Sequence, residues 1–358
     1  MADAVRILSI DGGGIRGIIP TMVLQAILGK TKAQDAFHII AGTSTGGIIA
    51  SALSKPNPRG LDQILSLYVD HGYEIFDKDS ENRFHAVAGP RYQAEALESQ
   101  LKAELGDTYL SEVKDTELLV PSYAIKLPEP DLNGNTSAPM FFRSWQARGV
   151  LLTGKPAEKY DFRLADIARA TSAAHTYLPP AAIQNKAGQS FTMIDGGVFA
   201  NNPTISAMVE AYHLYHSTEF LVVSLGTGSV PVEIDANAAA GWGDIAWASP
   251  IISILMDGNA QTVAFEVHEL LGTDQYTRLD ISLATVTPQG EIVDPAMDDA
   301  LQGNLKALQD KGNQLIDNQK TQIQSLAAEL AKPKAAIQPK TSLPAKSLIS
   351  QLRAATGS

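Results

Sequence analysis

The run Phe37-His38-Ile39-Ile40-Ala41-Gly42-Thr43-Ser44-Thr45-Gly46-Gly47-Ile48-Ile49-Ala50 restricts what this chain can fold into more than any other stretch. Phe37 to Ala41 is a short apolar run that reads as a buried strand, and Ile48 to Leu53 continues with helix-compatible residues. A strand that turns into a helix at a glycine-flanked serine is a nucleophile elbow. Its turn is so sharp that the serine takes a strained backbone conformation, and Gly42 and Gly46 let strand and helix pass without Cβ clashes. The elbow would place the Ser44 hydroxyl at a helix N-terminus, where developing negative charge is favoured. The competing reading is a tight turn whose Ser44 only caps the helix.

A second unit of the same kind precedes it. Val5 to Ile10 reads as the first strand, Asp11-Gly12-Gly13-Gly14-Ile15-Arg16-Gly17 as a glycine loop, and Ile18 to Leu28 as a helix. Consecutive glycines leave N–H groups unshielded beside a helix N-terminus, which makes an anion cradle. Gly12, Gly14 and Gly17 satisfy G-x-G-x-x-G, so a dinucleotide pyrophosphate is one candidate anion; a tetrahedral acyl intermediate in an oxyanion hole is the other. The dinucleotide reading wants an acidic residue ending a strand about 20 positions on. Asp35 precedes the next strand instead, which favours the oxyanion hole.

A third unit is Phe191-Thr192-Met193-Ile194-Asp195-Gly196-Gly197, followed by Val198-Phe199-Ala200-Asn201-Asn202-Pro203 and a helix over Thr204 to Tyr215. An Asp before two glycines is most often a turn residue. Its position at a strand end, in the layer expected for Ser44, makes Asp195 a candidate partner. With Phe220 to Leu225 and its Gly226-Thr227-Gly228 turn, these units imply an α/β fold with a mainly parallel sheet covered by helices on both faces.

Elsewhere, helices are expected over Gly60 to Phe76, Tyr92 to Leu105, Arg163 to Ala174 and, as a long helical region, Asp294 to Leu330. Strands are expected over Glu117 to Ile125, Met140 to Trp145 and Tyr276 to Ile281. Pro121 places the first of these at an edge or bulge. Trp242 to Met256 reads as a helix packed on the core or, functionally, as a lid or acyl-chain wall. From Ala331 the composition shifts to prolines with five Lys/Arg and no acid, which reads as a linker and unengaged tail, with a short amphipathic helix over Ser342 to Leu352 as the alternative.

Composition removes several chemistries. A net charge of −11 argues against a nucleic-acid polymer as partner. With no cysteine, disulfides, thiolate catalysis and Cys-type zinc sites are excluded. The chain starts without a charged-then-apolar signal segment and has no apolar run approaching ~18 residues, so the expectation is cytoplasmic. A serine nucleophile needs a base, and the chain has seven histidines. The order Ser44, Asp195, His268 could be drawn as a triad, but only one strand is expected before the elbow strand. Nor does any histidine sit at a strand end before a glycine turn. His213 and His216 fall on a helix without carboxylates in register for a metal.

Together the three loops resemble those of the patatin-like phospholipases, in the order Asp11-Gly12-Gly13-Gly14-Ile15-Arg16-Gly17, Gly42-Thr43-Ser44-Thr45-Gly46 and Asp195-Gly196-Gly197. The runs Ile7-Leu8-Ser9-Ile10, Ile18-Ile19-Pro20 and Ala200-Asn201-Asn202-Pro203 are similar as well, and the likeness covers roughly residues 5 to 285. It implies a three-layer α/β/α sandwich and a Ser–Asp dyad that hydrolyses lipid acyl esters, as a phospholipase A or lysophospholipase, with neither calcium nor cofactor. On that resemblance Ser44 is the nucleophile and Asp195 the base. Gly12, Gly13 and Gly14 are oxyanion-hole donors, and Arg16 steadies its loop or a lipid phosphate. Gly17, Gly42, Gly46, Gly196 and Gly197 support the turns, and no residue is assigned to a metal. The expected partners are a phospholipid or lysophospholipid and, transiently, a membrane surface. The hydrolase domain is expected to span residues 1–330, with a helical extension from about 290, and the tail residues 331–358.

Overall fold

Apolar runs with no polar alternation form strands buried on both faces, and the strands here show it residue by residue. Val5–Ile10 (β1), Ile39–Gly42 (β2) and Phe220–Leu225 (β7) are buried throughout. Val5, Ile7, Ile39, Ala41, Leu119, Phe220 and Val222 pack into one core; Leu8, Ile10, Ile40, Leu118, Val120, Leu221 and Val223 pack into the other. The period-2 alternation therefore divides each strand between two apolar layers. The larger layer holds Ile18–Leu28 (α1), Thr45–Ser54 (α2), Leu61–Val69 (α3), Glu95–Leu105 (α4) and Leu164–Thr171 (α5). The smaller layer is built on Thr204–Tyr215 (α6) and the C-terminal half of Asp244–Leu271 (α7). Gln302–Asn318 (α8) and Lys320–Leu330 (α9) pack on the α1 side. The computed structural model describes residues 4–77, 89–151, 155–229, 234–340 and 342.

The sheet is mixed. Its order is β5-β6-β3-β2-β1-β7-β8, where β3 is Glu117–Lys126, β5 Ala181–Gln184, β6 Ser190–Asp195 and β8 Tyr276–Leu279. The pairs from β3 to β8 are parallel. β4 (Ala138–Arg143), β5 and β6 are antiparallel additions at one end. The helix-covered, mostly parallel half was expected; β5 and the antiparallel sense of β6 were not.

β3 explains how the site is assembled. Its edge pairs first with β2, Leu119 opposite Ala41, and then with β6, Ser122 opposite Asp195, while β4 runs along its other edge. β2 and β6 thus approach head-on along one edge of β3, and their C-terminal ends meet. Pro121 sits in the gap between them, where no ladder bond to its missing N–H is required. That corrects the expected edge or bulge: β3 is internal, and its register shift against β6 falls between Ala124 and Lys126, beyond Pro121.

Three further expectations change. The helix expected from Trp242 runs from Asp244 to Leu271, through Pro250. Residues 294–301 are irregular, turned by Asn304 Oδ1 accepting the Asp294 N–H (2.9 Å), so the helical region opens only at Gln302. The segment after Ala331 is engaged as far as residue 342. Lys334 Nζ donates to the carbonyls of Gln34 (2.5 Å), Phe37 (2.9 Å) and Asp115 (2.6 Å), Arg6 donates to the Lys332 carbonyl (2.8 Å), and Lys340 N–H to that of Leu214 (2.6 Å). This strap ties down the starts of β2 and β3. The amphipathic helix considered over Ser342 to Leu352 falls almost wholly outside the described residues. Lys334→Ala is expected to lower stability by about 1–2 kcal/mol, because three carbonyls lose a charged donor at a half-buried site. A urea midpoint lowered at unchanged slope checks it.

Candidate active site

Thr43 and Ser44 make the turn from β2 into α2. Ser44 has φ 53° and ψ −122°, a region where a side chain is strained. The turn holds because the backbone crosses at close range: a Cβ on Gly42 would lie 2.0 Å from the Gly46 carbonyl oxygen, and one on Gly46 2.2 Å from that of Ile10. Polar contacts lock the same turn. Ser44 N–H donates to Thr171 Oγ1 (2.9 Å), the Thr171 hydroxyl to the Pro121 carbonyl (2.6 Å), and the Thr43 hydroxyl to the Ala200 carbonyl (2.6 Å). Thr171 therefore sits between the ends of β2 and β6: its hydroxyl joins the elbow to Pro121 of β3, and its carbonyl accepts the Gly196 N–H just after β6 (3.3 Å). Sequence reasoning missed it, since nothing local distinguishes a threonine ending an alanine-rich helix. Thr171→Val is expected to lower kcat about tenfold with KM little changed, and to cost about 1–2 kcal/mol of stability. Steady-state kinetics beside a denaturant curve separates the two effects.

Asp195 meets the elbow from the opposite direction, at the end of β6. It is 3% exposed. Its Oδ1 accepts the Gly197 N–H (2.7 Å), while Oδ2 is buried with no hydrogen bond of ordinary geometry. Burial pushes its carboxyl up to about 6; the Gly197 N–H and the nearby Ser44 hydroxyl partly oppose that rise. A carboxylate with an open oxygen and a pKa near neutrality can accept a proton from a neighbouring hydroxyl. A Cβ on Gly196 would lie 2.3 Å from the Pro121 carbonyl oxygen, so this turn too depends on a close backbone approach.

The glycine loop at the end of β1 is the third component. Gly12 N–H donates to the Asn201 carbonyl (3.1 Å). That bond pins the loop to the turn after β6 and removes Gly12 from the expected anion donors. The N–H groups of Gly13 and Gly14 have no acceptor among the described residues. Gly14 has φ +59°, and the next N–H, of Ile15, goes to the Met297 carbonyl (2.9 Å). Gly17 packs against Thr45, whose Oγ1 would lie 2.3 Å from a Cβ there. Arg16 donates from Nε to the Gly13 carbonyl (3.2 Å) and from Nη1 to the Gly228 carbonyl (3.3 Å), so it steadies the loop. At the head of the loop, Asp11 Oδ2 pairs with Arg278 Nη2 (2.6 Å), tying β1 to β8 across β7.

Ser44 and Asp195 line one narrow cavity of about 60 Å³, whose walls include Ile15, Ile48, Leu67, Phe76, Met256 and Met297. Met256 comes from the buried stripe of α7 that also carries Ile252, Ala260, Val263 and Val267. Of that apolar stretch, Met256 stands in the cavity wall, while the residues of α7 that enter the core, Val263, Val267 and Leu271, lie beyond it. Among the described residues no histidine lines this cavity. His38 lies at the far end of β2, where its Nδ1 accepts the Arg6 N–H (2.9 Å) and its Nε2 meets the Ala335 carbonyl (2.9 Å). His268 is exposed on α7, and His85 falls outside the described residues. The triad order Ser44, Asp195, His268 is not assembled. Asp35, exposed on the short helix Ala33–Ala36, sits at the opposite end of β2 from Ser44, so the dinucleotide reading loses its ribose partner.

A strained serine facing a buried carboxylate over an apolar slot is the equipment of a serine-dependent acyl hydrolase as a class. A model of the patatin-like phospholipases matches residues 8–208. Patatin-like protein 2 of Arabidopsis thaliana is 32% identical over 355 residues, covering 87% of this chain and 83% of the relative. Patatin-like protein 2 of Oryza sativa subsp. indica is 30% identical, covering 87% and 84%. Probable inactive patatin-3-Kuras 1 of Solanum tuberosum is 30% identical over 70% of each chain. The chain belongs to the patatin-like phospholipase family. Human GIVD cytosolic phospholipase A2 aligns in three dimensions at a TM-score of 0.47 and 14% identity, covering 92% of this chain and 60% of that one. Membership supports a lipid acyl hydrolase and implies a lipid substrate. No helix among the described residues is long and apolar enough to cross a membrane.

Proposed function

We propose that this protein cleaves carboxylic esters of phospholipids or lysophospholipids through an acyl-enzyme, with Ser44 as nucleophile and Asp195 as the only side-chain base. The observation that carries this reading is the open, buried Asp195 Oδ2 beside the Ser44 hydroxyl, in a cavity without histidine among the described residues. Ser44 Oγ attacks the ester carbonyl carbon as its proton passes to Asp195. The tetrahedral oxyanion is met by the N–H groups of Gly13 and Gly14, each such donor being worth about 3 kcal/mol in the transition state. Collapse breaks the ester C–O bond, and the departing alcohol takes the proton from Asp195. Water then attacks the acyl-Ser44 ester, giving its proton to Asp195. The fatty acid leaves, and Ser44 recovers its hydrogen.

The apolar walls of the cavity suit an acyl chain. On α7 beside Met256, Ile251, Ile254 and Leu255 are exposed, Leu255 at 52%. Such an apolar row next to the slot supports transient contact with a bilayer surface, from which the acyl chain would enter.

Mass spectrometry of products from a mixture of phospholipids and lysophospholipids tests the reading. Free fatty acid with the matching deacylated lipid is expected. An intact lipid mixture after prolonged incubation, or cleavage on the phosphate side, would overturn it.

A further inference from the structure

A second cavity, of about 810 Å³, opens across the glycine loop from Ser44. The two volumes share Tyr177, Met256 and Met297, so they meet at a common wall. Their linings differ in chemistry. The slot at Ser44 is largely apolar, whereas the larger cavity carries the carboxylates of Asp11, Asp257, Asp280 and Asp294 against the guanidiniums of Arg16 and Arg278. Both cations are already engaged. Arg278 bonds Asp11 (2.6 Å), Asp280 (3.0 Å) and Ser224 Oγ (3.0 Å), and Arg16 bonds the carbonyls of Gly13 and Gly228. The wall as a whole is negative.

It also holds acceptors without donors. Asp11 is 1% exposed and Asn201 5% exposed, both line this cavity, and the Oδ1 atom of each is buried with no hydrogen-bond partner. Buried acceptors left open in this way call for a ligand that brings hydrogens or positive charge. Two aromatic rings complete the wall: Tyr177, and Trp242 standing edge-on to Trp247 with centroids 5.1 Å apart. Carboxylates combined with aromatic faces are the surroundings that favour an alkylated ammonium. An anionic group alone would meet the excess negative charge.

We propose that this cavity is a headgroup subsite that takes the ammonium of a zwitterionic lipid, against Asp257 and Trp242, while the acyl chain occupies the slot at Ser44. The inference rests on the acyl-hydrolase reading above and adds to it a headgroup class. Asp257 is the informative position, because among the described residues its side chain accepts one hydrogen bond, from Gln261 one turn on (2.6 Å), and none from Arg278, so replacing it leaves the loop network around Arg278 intact.

The test uses the full chain carrying Ser44→Ala and calorimetric titration with octylphosphocholine. The comparison ligand is its 3,3-dimethylbutyl isostere, a phosphodiester monoanion in which uncharged carbon replaces the ammonium nitrogen. Octylphosphocholine is expected to bind about tenfold more tightly than the isostere, with the preference lost in Asp257→Asn and reversed in Asp257→Lys. Equal binding of the two ligands, or a preference that survives Asp257→Lys, overturns the subsite. Choline alone binding as tightly as octylphosphocholine would also overturn it, by pointing to a free ammonium compound instead of a lipid. These titrations need no turnover. A protein with Ser44 intact that releases no fatty acid from lysophosphatidylcholine or lysophosphatidylglycerol would sink the hydrolase reading, while binding still decides the subsite.

Discussion

Ser44→Ala is expected to release no measurable fatty acid from any lipid ester, a fall in kcat/KM of about 10⁴-fold or more. The loss should be chemical and not structural. The substituted alanine keeps the backbone N–H that donates to Thr171, and the elbow is held by the crossing of Gly42 and Gly46, which the substitution does not touch. The melting temperature should therefore stay within about 2 °C of wild type. In the parent protein a fluorophosphonate should label Ser44 alone, since attack on phosphorus uses the same nucleophile and the same oxyanion donors. Hydrolysis that persists in the variant, or label found on another residue, would remove Ser44 from the mechanism.

Asp195→Asn is the second large effect, expected to lower kcat by about 10³–10⁴-fold. Here the pH dependence carries the argument. Burial holds the Asp195 carboxyl up to about 6, and only its ionised form can take the serine proton. Wild-type kcat/KM should therefore rise with pH through an apparent pKa of about 6, and the residual rate of the Asn variant should lack that rise. Stability moves the other way. A carboxyl whose folded pKa lies above its unfolded value binds its proton more tightly when folded, so stability is lost as pH rises from about 4 through 6. Above pH 7 that ionised, buried carboxylate costs on the order of 3 kcal/mol, which the neutral amide of the variant would recover while still accepting the Gly197 N–H. An inactive variant more stable than wild type at pH 8 is the expected pair of results. A denaturant midpoint at or below that of wild type, or activity retained, would contradict the assignment.

The position of Asp195 follows from how β2 and β6 meet. A parallel strand would have ended in the common layer of loops that holds Asp11 and Ser44, so Asp195 would have approached Ser44 from the same side. Running antiparallel, β6 instead drives its last residue into the sheet, opposite Ser122 and beneath the Thr171 bridge. Strand direction thus decides the side from which Asp195 meets Ser44, while the burial that raises its pKa is shared with Asp11 at the end of parallel β1.

The elbow, the glycine loop and the Asp-Gly-Gly turn were readable from residue type because each is a glycine-marked turn between an apolar strand and a helix, even though the close approaches that require those glycines come from Ile10, Thr45 and Pro121. So were β1, β2, β7 and α6, whose apolar patterns span whole elements. β5 was not: four residues after Pro179-Pro180, with only Ala181 and Ile183 facing inward, carry too little pattern to register. The start of α8 was misplaced because the turn before it depends on Asn304 reaching back ten residues. The strap after Ala331 read as an unengaged tail because its lysine and prolines match the composition of a linker, while its partners Gln34, Phe37 and Asp115 lie more than two hundred residues away.

Read alone, the chain of residues settled the strained serine, the glycine-lined turns and the alternating apolar strands, since local sterics and side-chain periodicity dictate these whatever surrounds them. Tertiary structure decided the rest: that β6 meets β2 head-on, that Gly12 gives its N–H to Asn201 while Gly13 and Gly14 keep theirs, and that a carboxylate-rich cavity backs the apolar slot. The physical reason is the same in each case. Strand direction, burial and the spending of a hydrogen bond depend on groups that come together only when distant segments pack.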